Sequence, residues 1–168
     1  MRVLVAVASR HGSTLELAQA MGQALRAHGV EPEIRQVGEV PVAGSGSVED
    51  FDGVVLGSAL YVQRWLEPAV RFAQDRADDL RSRPVWLFSS GAVGHEALHQ
   101  GPEELADLER LTGAREHRIF PGRLDENDLD ADERRVVDEL GVAGGDYRDW
   151  AAVRAWAARV ADTLTAGT

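Results

Sequence analysis

One stretch of this chain decides its fold: Val3-Leu4-Val5-Ala6-Val7-Ala8-Ser9-Arg10-His11-Gly12-Ser13-Thr14. The first half is a continuous apolar run rich in valine, which is typical of a strand buried on both faces of a parallel sheet. The second half is small and polar, and the apolar spacing after it predicts a helix. A strand, a hydroxyl-rich turn and a helix together favour phosphate binding, because a helix N-terminus offers free N–H groups and a partial positive charge.

Residues 9–14 are therefore called the phosphate loop. Its candidate ligand-binding residues are Ser9, Arg10, His11, Gly12, Ser13 and Thr14. The backbone is favoured over the side chains of Arg10 and His11 as the phosphate ligand. The alternative is that Ser13 or Thr14 only caps the helix, as such residues often do.

The remaining sequence continues the alternation of strands and helices. Further strands are predicted at residues 33–37, 54–57, 85–88 and 117–120. Pro68 marks a helix start, Gly113 a helix end, and Asp149 the cap of a last helix over residues 150–164. This alternation predicts an α/β fold, a doubly wound five-stranded parallel sheet of order 2-1-3-4-5 with helices on both faces. We expect one domain over residues 1–168, with an acidic insertion at about 124–146.

Ligands of such sheets bind where the strand order reverses, outside the carboxyl ends of the strands. The loops that meet there begin at Ser9, Ser58 and Ser89, and the middle loop also carries Tyr61 and Trp65. A phosphate turn beside an aromatic loop suits a flat aromatic ligand with a phosphate tail. FMN fits this description best.

Composition narrows the function classes further. The chain has 28 acidic and 18 basic residues and a formal charge of −10, which favours a basic protein partner over nucleic acid or an anionic membrane. It has no cysteine, so thiolate chemistry and disulfides are excluded. It also has no lysine, which excludes a Walker-type phosphate loop and Schiff-base catalysis. The N-terminal apolar run is too short for a signal peptide, so we expect a cytoplasmic protein.

A family resemblance supports the same ligand. The pattern Ser9-x-x-Gly12-x-Thr14 resembles the FMN-phosphate loop of flavodoxins. Together with residues 57–61, 65–72 and 147–157, it resembles the flavodoxin-like, menaquinone-dependent protoporphyrinogen dehydrogenases and bacterial relatives that carry a flavodoxin domain. The resemblance implies a flavodoxin-like fold and an FMN-dependent oxidoreductase that passes reducing equivalents from a reduced donor to a quinone-like or protein acceptor.

The resemblance also implies two sets of residues beside the flavin ring. One side would be bordered by Ser58, Ala59, Leu60 and Tyr61. The other would be bordered by Ser89, Ser90, Gly91, Ala92, Val93 and Gly94, whose backbone N–H groups would face the polar edge of the ring. No catalytic residue is assigned.

The chain departs from the dehydrogenases between the fifth strand and the last helix. Those enzymes carry a basic and apolar insertion there, whereas residues 125–133 of this chain are mainly acidic. An anionic lipid surface would repel such a segment. We expect a solvated or mobile loop in preference to a cation site, because charge runs usually are solvated.

Other function classes remain open from the sequence. His95-Glu96-Ala97-Leu98-His99 matches the zinc hydrolase signature H-E-x-x-H. Gly94 precedes it and Gly101-Pro102 follows closely, so the long helix that such a site needs is interrupted and no metal site is predicted. His95 or His99 as a proton donor near a flavin is a further alternative. A pure electron carrier and a binding module without redox turnover also remain.

Overall fold

The computed structural model describes residues 1–92 and 104–167. Its strands are β1 (Arg2–Ala8), β2 (Glu31–Gln36), β3 (Gly53–Tyr61), β4 (Arg64–Trp65), β5 (Val85–Ala92), β6 (His117–Pro121), β7 (Arg123–Leu124) and β8 (Gly145–Asp146). Its α-helices are α1 (Ser13–Ala27), α2 (Glu67–Asp75), α3 (Ala77–Arg81), α4 (Leu105–Thr112), α5 (Ala131–Leu140) and α6 (Trp150–Ala166).

The central sheet confirms the predicted fold class. Its parallel strands lie in the order β2-β1-β3-β5-β6, which is the predicted 2-1-3-4-5 arrangement with one extra strand along the chain. The extra strand is β4, which pairs antiparallel with β3. The turn between them places Val62 and Gln63 at φ 47° and 57°. Asparagine and glycine are the usual residues at such positions, so residues 62 and 63 do not indicate a hairpin in the sequence.

Helices cover both faces of the sheet because the central strands are apolar on both faces. Alternate residues of β1 enter opposite cores: Val3, Val5 and Val7 pack with α1 and α6, whereas Leu4, Ala6 and Ala8 pack with α2, α3 and α4. The predicted caps are also present. Gly113 ends α4 in the left-handed conformation, and the Asp149 carboxylate accepts a hydrogen bond from the Ala152 N–H at the start of α6.

A cluster of large aromatic side chains fills the core between the sheet and α6. Phe88, Phe120 and Trp156 meet edge to face, with ring centroids 5.6 to 6.2 Å apart. Gly57 on the neighbouring strand leaves room for this cluster, since a Cβ there would lie 2.2 Å from the Phe88 ring. A side chain at position 57 would therefore displace the Phe88 ring.

We predicted a solvated or mobile loop over residues 125–133, and that prediction is wrong for residues 131–133, which form the first turn of α5. The helix begins with a capping box. Asp130 accepts hydrogen bonds from the N–H groups of Asp132 and Glu133, and the Glu133 carboxylate accepts the Asp130 N–H at 2.9 Å. On either side of α5, β7 and β8 pair as a short antiparallel hairpin.

Within residues 1–92 and 104–167, no helix combines the length and the apolar character that crossing a membrane would require.

Candidate functional site

The phosphate loop lies between β1 and α1 and is shaped by Ser9 and Gly12. The Gly12 N–H donates to the Ser9 Oγ at 3.1 Å, which closes the turn. Gly12 adopts φ 84°, a left-handed conformation that favours glycine, and the space around its Cα is open. The turn therefore leaves the backbone at Gly12 accessible to a ligand.

The N-terminus of α1 has no side-chain cap. Gly12 is the N-cap residue, and neither Ser13 nor Thr14 caps the helix. The first N–H groups of an α-helix have no partner inside the helix, so they are available to an anion. Thr14 is 2% exposed and lies in the first turn of α1. A hydroxyl-bearing residue beside uncapped N–H groups fits a bound phosphate.

The acidic insertion contacts the side chains of Arg10 and His11 in the phosphate loop. The Arg10 guanidinium lies 2.8 Å from Asp130 and 2.8 Å from Glu133, and His11 Nε2 lies 3.1 Å from the same Glu133 oxygen. The pKa of Asp130 is lowered, first by the hydrogen bond from the Glu133 backbone N–H and also by Arg10. Sequence reasoning missed this contact, because more than a hundred residues separate its partners along the chain.

Arginine contacts anchor the ends of the insertion to the first turns of α1. The Arg123 N–H donates to the Ser13 Oγ at 3.2 Å, and the side chains of Arg123 and Arg148 both reach Glu16. Arg148 also pairs with Asp146, whose pKa falls to about 2 chiefly through that hydrogen bond. The Ser13 hydroxyl thus joins the insertion to α1.

The β3–β4 hairpin carries the next group of predicted residues. Ser58 is fully buried, and its Oγ donates to the Ala59 carbonyl and accepts from the Leu66 N–H, so it shapes the hairpin. Tyr61 is 37% exposed, and the Arg10 guanidinium lies 5.5 Å from the centroid of its ring. The Tyr61 ring is therefore available to a ligand beside the phosphate loop.

Trp65 lies beneath the hairpin, in the core. Its Nε1–H donates to the Ser89 Oγ at 2.8 Å, and the same Oγ lies 2.8 Å from His117 Nε2. Burial lowers the pKa of His117 to about 4, so its ring is neutral near pH 7, and Nε2 shares a hydrogen bond with the Ser89 hydroxyl. Sequence reasoning had not singled out His117, because a lone histidine in a strand gives no signal of its own.

The third loop follows β5 and approaches the loop after β6. Ser90 is buried, and Gly91 has φ 108°. A Cβ on Gly122 would lie 2.7 Å from the Gly91 Cα, so two glycine backbones meet here. Ala92 ends β5, whereas Val93, Gly94 and the His95–His99 motif lie outside the described residues. Among the residues that the structure does describe, no cluster of potential metal ligands occurs.

The register of the sheet brings the three predicted loops together. Ala8 pairs with Ser58, and Ser58 pairs with Ser89, so the carboxyl ends of β1, β3 and β5 lie side by side. Position 58 lies between the other two in the sheet. The loops leaving these ends therefore surround one site at the point where the strand order reverses.

A doubly wound parallel sheet with an uncapped helix N-terminus at its switch point is typical of α/β proteins that bind phosphate-bearing cofactors. Residues 4–149 match the Flavodoxin domain family, and the chain belongs to this family. Membership implies a flavin cofactor. No curated protein matches the chain.

Solved structures support the fold. A flavodoxin from the domain Archaea is 14% identical, with 98% of this chain and 99% of that chain covered and a TM-score of 0.66. The WrbA-like flavodoxin from Agrobacterium tumefaciens is 13% identical, with 99% of each chain covered and a TM-score of 0.61. Rubredoxin oxygen:oxidoreductase from Desulfovibrio gigas is 13% identical, with 98% of this chain but 36% of that chain covered and a TM-score of 0.64.

Proposed function

We propose that this protein binds FMN non-covalently at the carboxyl ends of β1, β3 and β5 and passes reducing equivalents from a reduced donor to a quinone-like or protein acceptor. The observation that carries the proposal is the uncapped N-terminus of α1 behind the left-handed Gly12. Family membership supports the flavin, and Thr14 in the first turn of α1 would offer a hydroxyl to a phosphate group at this end of it.

Different residues would contact the phosphate and the two sides of the flavin ring. The backbone N–H groups of the first turn of α1 and the hydroxyls of Ser9 and Thr14 would hold the phosphate. The exposed Tyr61 would border one side of the ring. The backbone after Ser90 would border the other side. Bound FMN would supply one- and two-electron redox chemistry, and the protein would orient the ring and exclude water from part of it.

The charge of the chain supports a particular kind of partner. A formal charge of −10 favours docking of a basic redox protein and disfavours an anionic lipid surface. We therefore propose a protein or small quinone-like acceptor that is reached without stable membrane association, and a cytoplasmic location. Rapid oxidation of the reduced protein by a small quinone would indicate an enzyme, whereas oxidation only by a partner protein would indicate an electron carrier.

A comparison of FMN with riboflavin tests the phosphate site, because riboflavin lacks the phosphate. Ser9→Ala combined with Thr14→Val removes two hydroxyls and keeps the volume at position 14. Each hydrogen bond to a charged group contributes about 1.5–3 kcal/mol, so FMN affinity should fall by at least about tenfold. Riboflavin affinity should change little. Affinities are measured from the quenching of flavin fluorescence on titration with protein.

Thr163→Val is the matched control, because the Thr163 hydroxyl bonds only to the Arg159 carbonyl within α6. This variant should bind both flavins as the wild type does. An equal loss of FMN and riboflavin affinity in the double variant would place the phosphate elsewhere.

A further inference from the structure

Glu133 is a buried carboxylate in contact with the phosphate loop. Its side chain is 5% exposed, and its Oε1 contacts both Arg10 Nη1 at 2.8 Å and His11 Nε2 at 3.1 Å. Its Oε2 accepts the Asp130 N–H at 2.9 Å. A carboxylate buried to this degree needs charged or hydrogen-bonding partners, and the phosphate loop supplies two of them.

We propose that Glu133 sets how strongly the phosphate loop prefers a phosphate-bearing ligand, because it pairs with Arg10 and also contacts His11 of that loop. The inference rests on the proposed FMN site. It assigns Glu133 a positioning role: Arg10 and His11 are held by α5, and the phosphate is left to the backbone N–H groups and hydroxyls.

The charges around the phosphate loop support this role. Arg10 meets two carboxylates, those of Asp130 and Glu133, so the ion cluster without His11 carries a net negative charge. A phosphate bound at the N-terminus of α1 would lie next to the phosphate loop, and Arg10 of that loop belongs to this cluster. Negative charge there opposes phosphate binding, and removing one carboxylate would strengthen the pull of Arg10.

The geometry favours neutralisation over a purely structural contact. The Arg10 guanidinium is shared between the two carboxylates and also lies over the Tyr61 ring, so both of its Nη atoms already contact a negative charge. The insertion meets the phosphate loop at two points, since Glu133 of α5 contacts His11 and the Arg123 N–H of β7 donates to the Ser13 hydroxyl.

Glu133→Gln tests the proposal, since it removes the charge and keeps an oxygen that can accept the Asp130 N–H. FMN affinity should rise by about threefold to tenfold at low salt, and riboflavin affinity should stay within about twofold of wild type. The gain in FMN affinity should shrink at high salt because screening weakens the added attraction. Asp132→Asn is the matched control: it removes one exposed carboxylate from the same turn of α5, and we expect no such gain.

Arg10→Gln completes the test and keeps it informative if Glu133→Gln does not fold. It leaves both carboxylates without their arginine, so FMN affinity should fall by about threefold to tenfold, again without an effect on riboflavin. In the variant that combines Glu133→Gln with Arg10→Gln, FMN affinity should return towards the wild-type value. Unchanged or weaker FMN binding in a folded Glu133→Gln protein overturns the proposal. A wild type that does not bind flavin, or binds riboflavin as tightly as FMN, overturns the proposed function instead.

Discussion

The half-buried histidine of β6 gives the protein a stability component that depends on pH. His117 shares a hydrogen bond with the Ser89 hydroxyl, and burial lowers the pKa of its ring from 6.5 to about 4. The unfolded chain therefore binds a proton at this position at a higher pH than the folded chain does. The stability that His117 contributes is complete above about pH 6.5 and is lost as the pH falls through about 4.

The pKa shift sets the size of this effect. At about pH 4.5, linkage between pKa values of 6.5 and about 4 gives a loss of at most about 2.5 kcal/mol relative to neutral pH. His117 is only partly buried, and solvent screening reduces the expected loss to about 1–2 kcal/mol. Carboxylates also titrate in this range, so the measurement must isolate the histidine.

The contribution of His117 is isolated by urea unfolding of the wild type and of His117→Gln, each at about pH 7 and about pH 4.5. Glutamine places an amide group near the position of Nε2, where it can form a hydrogen bond with the Ser89 hydroxyl without becoming charged. The wild type should lose about 1–2 kcal/mol more than the variant between the two pH values. His28→Gln removes an exposed histidine and serves as the background variant. Equal losses in wild type and His117→Gln would refute the reasoning.

Two further substitutions test the packing and the ring contact. Gly57→Ala places a Cβ 2.2 Å from the Phe88 ring and should lower the free energy of unfolding by about 1–3 kcal/mol. Gly38→Ala, where a Cβ meets nothing within 4 Å, should change it far less, and equal effects would contradict the packing account. Tyr61→Leu should raise the fluorescence of bound FMN, because the exposed Tyr61 ring would no longer lie against the flavin. Unchanged fluorescence would remove Tyr61 from the ring site.

The sequence predicted the parts of the fold that depend on local pattern. The apolar run of β1 and the alternation of elements predicted the parallel order, since both faces of these strands are buried. Gly113 and Asp149 predicted helix boundaries because capping depends on neighbours within a few residues. The ring contacts of residues 58–61 and 89–94 stay predictions.

The features that the sequence did not predict depend on distant contacts or unusual turn residues. The β3–β4 hairpin turns through Val62 and Gln63, which are uncommon at positive φ. Asp130 and Glu133 carry a capping-box pattern that could have indicated α5, but their contact with Arg10 and His11 joins segments far apart in the chain. Which aromatic residue of the middle loop is buried also depends on tertiary packing: Trp65 lies in the core, whereas Tyr61 is exposed.

The visible absorption spectrum of the purified protein, recorded before and after addition of FMN, tests the central claim most directly, with zinc content assayed on the same sample. The proposed site predicts flavin absorption bands that shift and saturate as FMN is added, and a smaller response to riboflavin. A colourless protein that leaves the FMN spectrum unchanged would contradict the account. Zinc in that colourless sample would direct attention to His95, Glu96 and His99.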